Sequence, residues 1–291
     1  MKKHKICKIL LVILAIFLCV AFYELLGICV AYKKQPEVSN TTKKETKNGS
    51  WNECSENTER AVIIEKNPEA LLQRVRLIKN AKKEIILSTF AFQSDESGKL
   101  ILGALHDAAD RGVHIRLLVD GMESWIDMEG NPYFYGLSSH ENVEIKLYNK
   151  ANPLKPWKMM GRMHDKYLIA DGKRYILGGR NTYNYFLGDF PGHKNYDRDV
   201  LVVCDEPEKE NSVNQLSEYF ETIWNQEDSG YFHNNKKLAN RKSVKNAVLE
   251  LQNSYQKYFE ENKERICETD YTDETFETEK ITLVSNPIHT G

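Results

Sequence analysis

The sequence predicts an α/β domain with a mixed, mostly parallel sheet flanked by helices, preceded by one N-terminal transmembrane helix. Two observations lead to this fold class. Apolar strands alternate with amphipathic helices from residue 61 to residue 148, which is typical of a parallel sheet covered by helices. Before them, residues 9–32 form a nearly uniformly apolar run of 24 residues, longer than the roughly 20 that cross a bilayer as a helix.

The elements of the domain follow from local patterns, taken in chain order. Runs of β-branched and aliphatic residues predict strands, and apolar residues at helical spacing predict helices. Gly112 ends one helix, and Asp171-Gly172 favours a hairpin turn. Residues 121–141, rich in Gly, Asn, Pro and aromatic residues, are expected to be irregular. The predicted strands are 61–65, 84–92, 113–120, 143–148, 167–170, 174–177 and 200–204, and the predicted helices are 67–83, 96–111, 213–227 and 237–265.

The apolar run at the N-terminus is interrupted only by Glu24 and is flanked by lysines. A cleaved signal peptide usually has a shorter apolar run and a small-residue cleavage site, so residues 1–34 are interpreted as an uncleaved anchor, with an unusually long signal peptide as the alternative. Four lysines precede the span and five follow within about 15 residues, so the excess of positive charge that marks the cytoplasmic side hardly distinguishes the two ends. A short Lys-rich tail before a single span is typical of a signal anchor and favours an extracytoplasmic domain. The polar segment 35–58 cannot bury a core and is predicted to be a linker.

Charge and cysteine content narrow the classes of function only slightly. The net charge of −2 argues against nucleic-acid binding through a general basic excess, although a local basic groove is compatible with it. No Cys-x-x-Cys pair occurs, which disfavours a zinc site of that kind. Cys204 belongs to a strand and is predicted to be buried, whereas Cys54 and Cys267 could pair if the domain is external.

The chemistry concentrates around His164 and Lys166. Side chains alternate along a strand, so these two point to the same side, about 7 Å apart. An imidazole can attack phosphorus, and an ammonium can hold a non-bridging oxygen of the same group. The returning strand ends in Gly178-Gly179-Arg180-Asn181, where the glycines are expected to let backbone N–H groups approach a phosphate and Asn181 adds a side-chain donor.

The spacing His164-x-Lys166-x4-Asp171-x6-Gly178-Gly179-x-Asn181 resembles the signature of the phospholipase D superfamily. The Gly-Gly-Arg-Asn ending is most similar to its cardiolipin synthase and phosphatidyltransferase branch. Two further segments resemble that branch, over a region of roughly 60–291: Asp95-x-x-Gly98 with the helix ending at Arg111-Gly112-Val113, and Arg198-Asp199-Val200.

This resemblance implies a role for each matching residue. His164 would form a phosphohistidine or act as the acid–base partner of an opposite half-site. Lys166 would bind phosphate oxygens, and Asp199 would orient the imidazole by accepting its other N–H, with Asp197 as the alternative. Asp171 would mainly support the local structure. The implied catalytic set is His164, Lys166, Asp171 and Asp199, the implied phosphate-binding set is Gly178, Gly179 and Asn181, and no metal or cofactor is required.

The resemblance is incomplete because the sequence contains only one H-x-K-x4-D motif, whereas the family uses two. One explanation is a homodimer in which each copy provides one motif. The favoured explanation is a second lobe that begins within residues 281–291, after a first lobe of 59–280. Residues 62–68 and 282–287 both lead from a short apolar strand into Asn-Pro.

Three classes of function remain open. The leading hypothesis is a membrane-anchored phosphodiesterase or phosphatidyltransferase acting on phospholipid, with no nucleic acid as partner. The others are a nuclease of the same superfamily and a catalytically silent single-motif module. Several side chains could contact lipid or be ordinary core and surface residues, and the pattern leaves them undecided: Trp125, Tyr133, Phe134, Tyr135, Lys155, Trp157, Lys158 and Arg162.

Overall fold

A nine-stranded mixed sheet lies at the centre of the domain. The computed structural model describes residues 2–33, 43, 59–158, 161–204, 211–233, 235–279 and 281–285. Most of the predicted linker 35–58, Cys54 and the Asn286-Pro287 pair lie outside the described residues. The strands are β1 Arg60–Ile64, β2 Glu84–Thr89, β3 His114–Asp120, β4 Val143–Tyr148, β5 Tyr167–Ala170, β6 Arg174–Gly178, β7 Asp199–Val203, β8 Ser229–Tyr231 and β9 Phe276–Glu277.

Helices alternate with these strands and also precede and follow them. Most begin or end near the predicted residues. The helices are α1 Lys2–Lys33, α2 Asn67–Asn80, α3 Glu96–Asp110, α4 Gly121–Asp127, α5 Pro132–Ser138, α6 Ser212–Trp224, α7 Lys242–Glu261 and α8 Lys263–Cys267, with 3₁₀ turns at Pro156–Lys158 and Lys236–Asn240.

The order of strands across the sheet is β8-β4-β3-β2-β5-β6-β7-β1-β9. Parallel pairing is confined to β2 with β3 and β3 with β4, and the six other pairs are antiparallel. The α/β class with flanking helices is confirmed, but the expectation of a mostly parallel sheet is wrong. The reason is that β5, β6 and β7 run back and forth as a meander, which needs no crossover helix.

Helices cover both faces of the sheet, so successive strand residues enter different cores. Ile85 and Leu87 belong to the core beneath α2, α3 and α7. Ile86, between them, belongs to the core beneath α6, with Phe220 and Trp224. Burial of both faces explains why β2 is continuously apolar from Ile85 to Leu87 rather than alternating. Cys204 is buried in the second core, as its apolar run predicts.

Residues 121–141 are not irregular, contrary to the expectation from composition. They form α4 and α5, whose first turns are capped by Asp120 and Asn131. Each helix has only seven residues, too short to show an apolar stripe in the sequence.

The N-terminal helix α1 has the length and composition of a membrane span. Its segment His4–Val30 has 27 residues, and the most apolar stretch of that segment has a mean hydropathy of 2.9 and is not buried against the rest of the protein. A helix of this length and composition can cross a bilayer.

Candidate active site

The ends of six neighbouring strands meet at one edge of the sheet, and the motif residues lie there. β2, β3 and β4 are parallel, so their carboxyl ends share this edge. β5 is antiparallel to β2 and pairs Tyr167 with Ser88, which places His164 and Lys166 at the same edge. The end of β6 and the start of β7 join them through the pair Gly178 and Asp199. We call this the catalytic edge.

His164 and Lys166 both contact the ring of Phe90, which follows β2. The imidazole packs edge-on, with ring centroids 4.6 Å apart, and the Lys166 ammonium lies 5.4 Å from the ring centroid. The two side chains therefore share a side, although both residues precede the first residue of β5. His164 is exposed, whereas Lys166 is only 5% exposed. An accessible imidazole above a held cation suits attack on an anionic phosphorus group.

The surroundings of His164 favour its neutral, nucleophilic form. Partial burial lowers its pKa, and the positive charge of Lys166 lowers the pKa further. Burial also lowers the pKa of Lys166, partly offset by the carboxylates of Asp165 and Asp197. The Lys166 ammonium donates to the backbone oxygen of His164 at 2.7 Å, which fixes its position beside the imidazole.

Asp120, at the end of β3, holds the backbone that leads into His164. Its buried carboxylate accepts from Arg162 Nε at 2.9 Å and from Met163 N at 3.1 Å. The Arg162 guanidinium also stacks 5.0 Å from the Phe90 ring centroid. Sequence reasoning missed this residue. The available signal was a carboxylate ending an apolar strand just before a glycine, at the end of a parallel strand where ligand sites often form.

Asp165 points to the opposite side from its two neighbours. Its carboxylate accepts from the Tyr219 hydroxyl of α6 at 2.8 Å. Burial raises the pKa of Asp165, and the Tyr219 hydrogen bond opposes that shift. Because adjacent side chains alternate, anchoring Asp165 to α6 keeps His164 and Lys166 facing the catalytic edge.

Gly178 and Gly179 do not offer free backbone donors, which corrects the expectation of phosphate binding through their N–H groups. Gly178 N donates to Lys166 O at 3.1 Å and Gly179 N donates to Arg198 O at 3.3 Å. What these positions require is the absence of a side chain. A Cβ on Gly178 would overlap the carboxylate of Asp199, and a Cβ on Gly179 would overlap that of Asp197.

Asn181 lies at the catalytic edge and is 7% exposed. Its Oδ1 accepts from Ala91 N at 3.2 Å, which orients the amide. The NH2 end lies beside the Tyr183 hydroxyl, a hydrogen bond that opposes the upward shift of the Tyr183 pKa caused by burial. This NH2 group is the side-chain donor that the sequence predicts for a phosphate oxygen.

Asp199 does not hold the imidazole of His164, which corrects the predicted role. Its Oδ2 pairs with Arg74 Nη1 at 2.9 Å and with Arg180 Nη1 at 3.2 Å, and its side chain has no exposed area. Its Oδ1 lacks a hydrogen-bond partner among the described residues. Local sequence patterns do not reveal this cluster, because Arg74 lies on α2, 125 positions earlier in the chain.

Asp171 is structural rather than catalytic. It lies in the turn between β5 and β6, at the end of β5 away from His164, with a φ of 55°. Its carboxylate accepts from Lys82 N, Lys83 N and Glu84 N at 2.7–3.0 Å. The support role that the resemblance implies agrees with this geometry, and its place in the catalytic set does not.

Asp197 is an exposed carboxylate at this edge, and its charge opposes the lowering of the Lys166 pKa that burial causes. It therefore remains available as the second partner considered for His164. Among the described residues, no group of three or more His, Cys, Asp or Glu side chains is arranged to hold a metal ion.

Relatives with similar sequences are longer than this chain. An uncharacterized protein of Helicobacter pylori is 30% identical over 212 residues, 68% of this chain and 39% of that protein. Cardiolipin synthase C of Escherichia coli is 30% identical over 154 residues, 48% of this chain and 31% of that protein. Cardiolipin synthase 1 of Staphylococcus aureus is 34% identical over 117 residues, 40% of this chain and 23% of that protein. The matched part of the chain thus covers between about a quarter and two fifths of the length of these relatives.

Solved structures that match this chain include NucT from Helicobacter pylori and a phosphatidylserine synthase from Haemophilus influenzae. NucT has 17% identity and a TM-score of 0.48, covering 60% of this chain and 99% of NucT. The synthase has 17% identity and a TM-score of 0.49, covering 76% of this chain and 48% of the synthase. The profile of one family, described as cardiolipin synthase, PLD-like domain, matches residues 74–224, more than half of the chain. The chain belongs to this phospholipase D-like family.

Proposed function

We propose that this chain is one catalytic lobe of a membrane-anchored phosphodiesterase or phosphatidyltransferase that acts on phospholipid through a phosphohistidine at His164. The observation that carries the proposal is the exposed imidazole of His164 held beside the Lys166 ammonium on the ring of Phe90. Both the lowered pKa of His164 and its accessibility favour a nucleophile over a structural histidine.

The reaction divides into two displacements at phosphorus. An imidazole nitrogen of His164 forms a bond to phosphorus while the bond to one ester oxygen breaks, and that oxygen leaves as an alcohol after taking a proton from an acid. Lys166 and the Asn181 amide hold the non-bridging oxygens as their charge increases. In the second step the oxygen of water or of another alcohol attacks phosphorus, loses its proton to the same acid–base group, and releases His164. Water gives hydrolysis, and an alcohol gives transfer.

The acid that protonates the leaving alcohol is assigned to a second motif outside this single H-x-K-x4-D. Either a second lobe or a second copy of the chain supplies it. The greater length of the matched relatives supports the two-lobe arrangement, since the chain covers only 39%, 31% and 23% of three of them. In both arrangements two catalytic edges face each other, and each contributes one histidine.

Phospholipid is favoured as the substrate for two reasons. The helix α1 has the properties of a membrane anchor, which keeps the domain near lipid. Relatives at 30% and 34% identity bear the name cardiolipin synthase. A nuclease of the same superfamily is the competing function, and the experiment below includes it.

The experiment compares the turnover of phosphatidylglycerol and of single-stranded DNA by the full chain in proteoliposomes. The second motif is supplied either by a second copy of the chain or by a second lobe joined to it. We expect His164→Ala and Lys166→Ala to abolish phospholipid turnover. His114→Ala is the matched control, because His114 lies at the opposite end of β3. Quenching the reaction in base should trap phosphorus on the wild-type chain and none on His164→Ala. Retained lipid turnover in both site variants refutes the assignment. Cleavage of DNA without any lipid turnover assigns the chain to the nucleases.

A further inference from the structure

Four large apolar side chains stand exposed beside the catalytic edge. They come from two segments that follow neighbouring strands: helix α4, after β3, and residues 149–158, after β4. The exposed fractions are 67% for Trp125, 65% for Ile126, 78% for Leu154 and 45% for Trp157. Exposed apolar side chains of this size, including two tryptophans, on two segments that leave neighbouring strands at the same edge are typical of an interaction site.

The two segments are fixed in place and share the same edge of the sheet. β3 and β4 are parallel, so the chain leaves both at the carboxyl edge. Gly121, the first residue of α4, packs so closely on the backbone of Lys150 that a Cβ there would overlap it. Asn149 donates to the backbone oxygens of Lys158 and Gly161, which closes the second segment into a loop. The exposed side chains therefore stand on an ordered surface.

The second segment also contacts the apolar helix α1. The Tyr23 hydroxyl donates to Leu154 O at 2.9 Å, and Gly27 lies directly against the ring of Pro156. Gly27 is six residues before the end of α1, about 9 Å along its axis. That distance places the contact near the boundary between hydrocarbon and headgroups if α1 spans the bilayer. Tryptophan and tyrosine favour this level of a membrane.

We propose that these four residues form a membrane-interface surface, which seats the catalytic edge on the bilayer that α1 spans. The proposal rests on the proposed function and deepens it, because the substrate is then a phospholipid in the same bilayer rather than one carried through water. Lys155, exposed between Leu154 and Trp157, adds a positive charge at the level of anionic headgroups. The continuity with α1 favours a lipid surface over a protein partner for this patch.

The test measures whether lipid reaches Trp125 and Trp157. The full chain is reconstituted in phosphatidylcholine and phosphatidylglycerol vesicles, with and without phospholipids brominated near the headgroup end of the acyl chains. The fluorescence of the two tryptophans is obtained by subtracting the emission of the double variant Trp125→Phe/Trp157→Phe from that of the wild type. Trp224→Phe gives the negative control, since Trp224 is 5% exposed and packs on Phe220 within the domain.

We expect brominated lipid to quench the Trp125 and Trp157 signal and to leave the Trp224 signal unchanged. Absence of that quenching overturns the proposal. If acrylamide in the same vesicles then also fails to quench the two tryptophans, they are covered by protein, and the surface is assigned to contact with a second copy or lobe. The readout does not depend on turnover, so an inactive chain with quenched tryptophans refutes the proposed function alone. Turnover of phospholipid without quenching refutes only the interface.

A second measurement links the surface to substrate uptake. Trp125→Gln/Leu154→Gln should raise the apparent KM for phosphatidylglycerol in vesicles several-fold and leave turnover of a monomeric short-chain phosphatidylglycerol unchanged. Leu249→Gln, at another exposed leucine, on α7, is the matched control. An equal loss on both substrates would indicate damage to the site and count against an interfacial role.

Discussion

The guanidinium of Arg180 lies 3.2 Å from the carboxylate of Asp199, and neither side chain has exposed surface. Arg74 pairs with the same carboxylate oxygen at 2.9 Å. One negative and two positive charges are therefore buried directly behind Gly178. Arg180 also donates to Asn67 Oδ1 and to the backbone oxygens at the end of β1, which joins the catalytic edge to the start of α2.

Asp199→Asn should destabilise the protein strongly, because it leaves two buried guanidinium groups without a counter-ion. Removing one partner of a buried ion pair costs about 3–5 kcal/mol. Chemical denaturation followed by tryptophan fluorescence measures the change in the free energy of unfolding. The control is Asp197→Asn, an exposed position on the same connection, which should leave the denaturation midpoint unchanged.

The same pair of variants also separates the two candidate partners of His164. Asp197→Asn should reduce turnover while the protein stays folded, because it removes a carboxylate near Lys166. A well-folded Asp199→Asn protein with low turnover would contradict the structural role of Asp199 and restore it as the orienting carboxylate.

Gly178→Ala and Gly179→Ala should differ in their effect on stability. A Cβ on Gly178 meets the pinned Asp199 carboxylate and the Arg198 backbone, neither of which can move freely. Such overpacking costs about 1–3 kcal/mol. The nearest atoms to a Cβ on Gly179 belong to the exposed side chain of Asp197, which can rotate away. Thermal unfolding should rank Gly178→Ala below Gly179→Ala, and equal melting temperatures would contradict the close approach.

The sequence predicted contacts that depend on local periodicity and missed those that depend on distant elements. Strand alternation correctly placed His164 and Lys166 on one side, since both contact Phe90. The role of Asp199 was wrong because its partner Arg74 arrives from a helix 125 residues earlier. The direction of strand pairing was wrong for a related reason. Apolar runs show that strands exist, but not which strands pair. The turn at Asp171-Gly172 predicts that β6 returns along β5, whereas no local pattern in residues 179–198 shows that β7 pairs antiparallel to β6.

The acid limb of the pH–rate profile should lie below about pH 6.5, the ordinary pKa of histidine. Burial and the charge of Lys166 both lower the pKa of His164, so its neutral form persists to lower pH and activity is lost only as the pH falls through that lowered value. The Lys166→Met variant should shift the pKa of His164 upward. The pH dependence of carbethoxylation of His164, obtained by subtracting the signal of His164→Ala, measures the pKa of His164 without any turnover. An unchanged or lower pKa in Lys166→Met would show that Lys166 does not act on the imidazole.

Tyr219→Phe should lower the free energy of unfolding by about 1 kcal/mol, the usual net contribution of one hydrogen bond. It removes the 2.8 Å bond to Asp165, which is half-buried on the side of the motif that faces α6. Turnover should also fall, because Asp165 fixes which side His164 faces. Tyr231→Phe is the control, since that hydroxyl bonds Glu144 at an exposed site. Equal effects of both variants on turnover would show that the Asp165 anchor does not position the motif.

The purified chain ending at Gly291 should turn over phospholipid only when two catalytic edges meet. One H-x-K-x4-D motif supplies one histidine, and a positioned acid contributes roughly 10²–10⁴-fold, so a lone lobe lacks most of the rate. Specific activity in proteoliposomes should therefore rise with the density of the chain in the bilayer. Mixing His164→Ala with wild type should reduce activity more than dilution does, because mixed pairs lack either the nucleophile or the acid. Strong turnover at a density where crosslinking shows only single copies would contradict a site shared between two lobes.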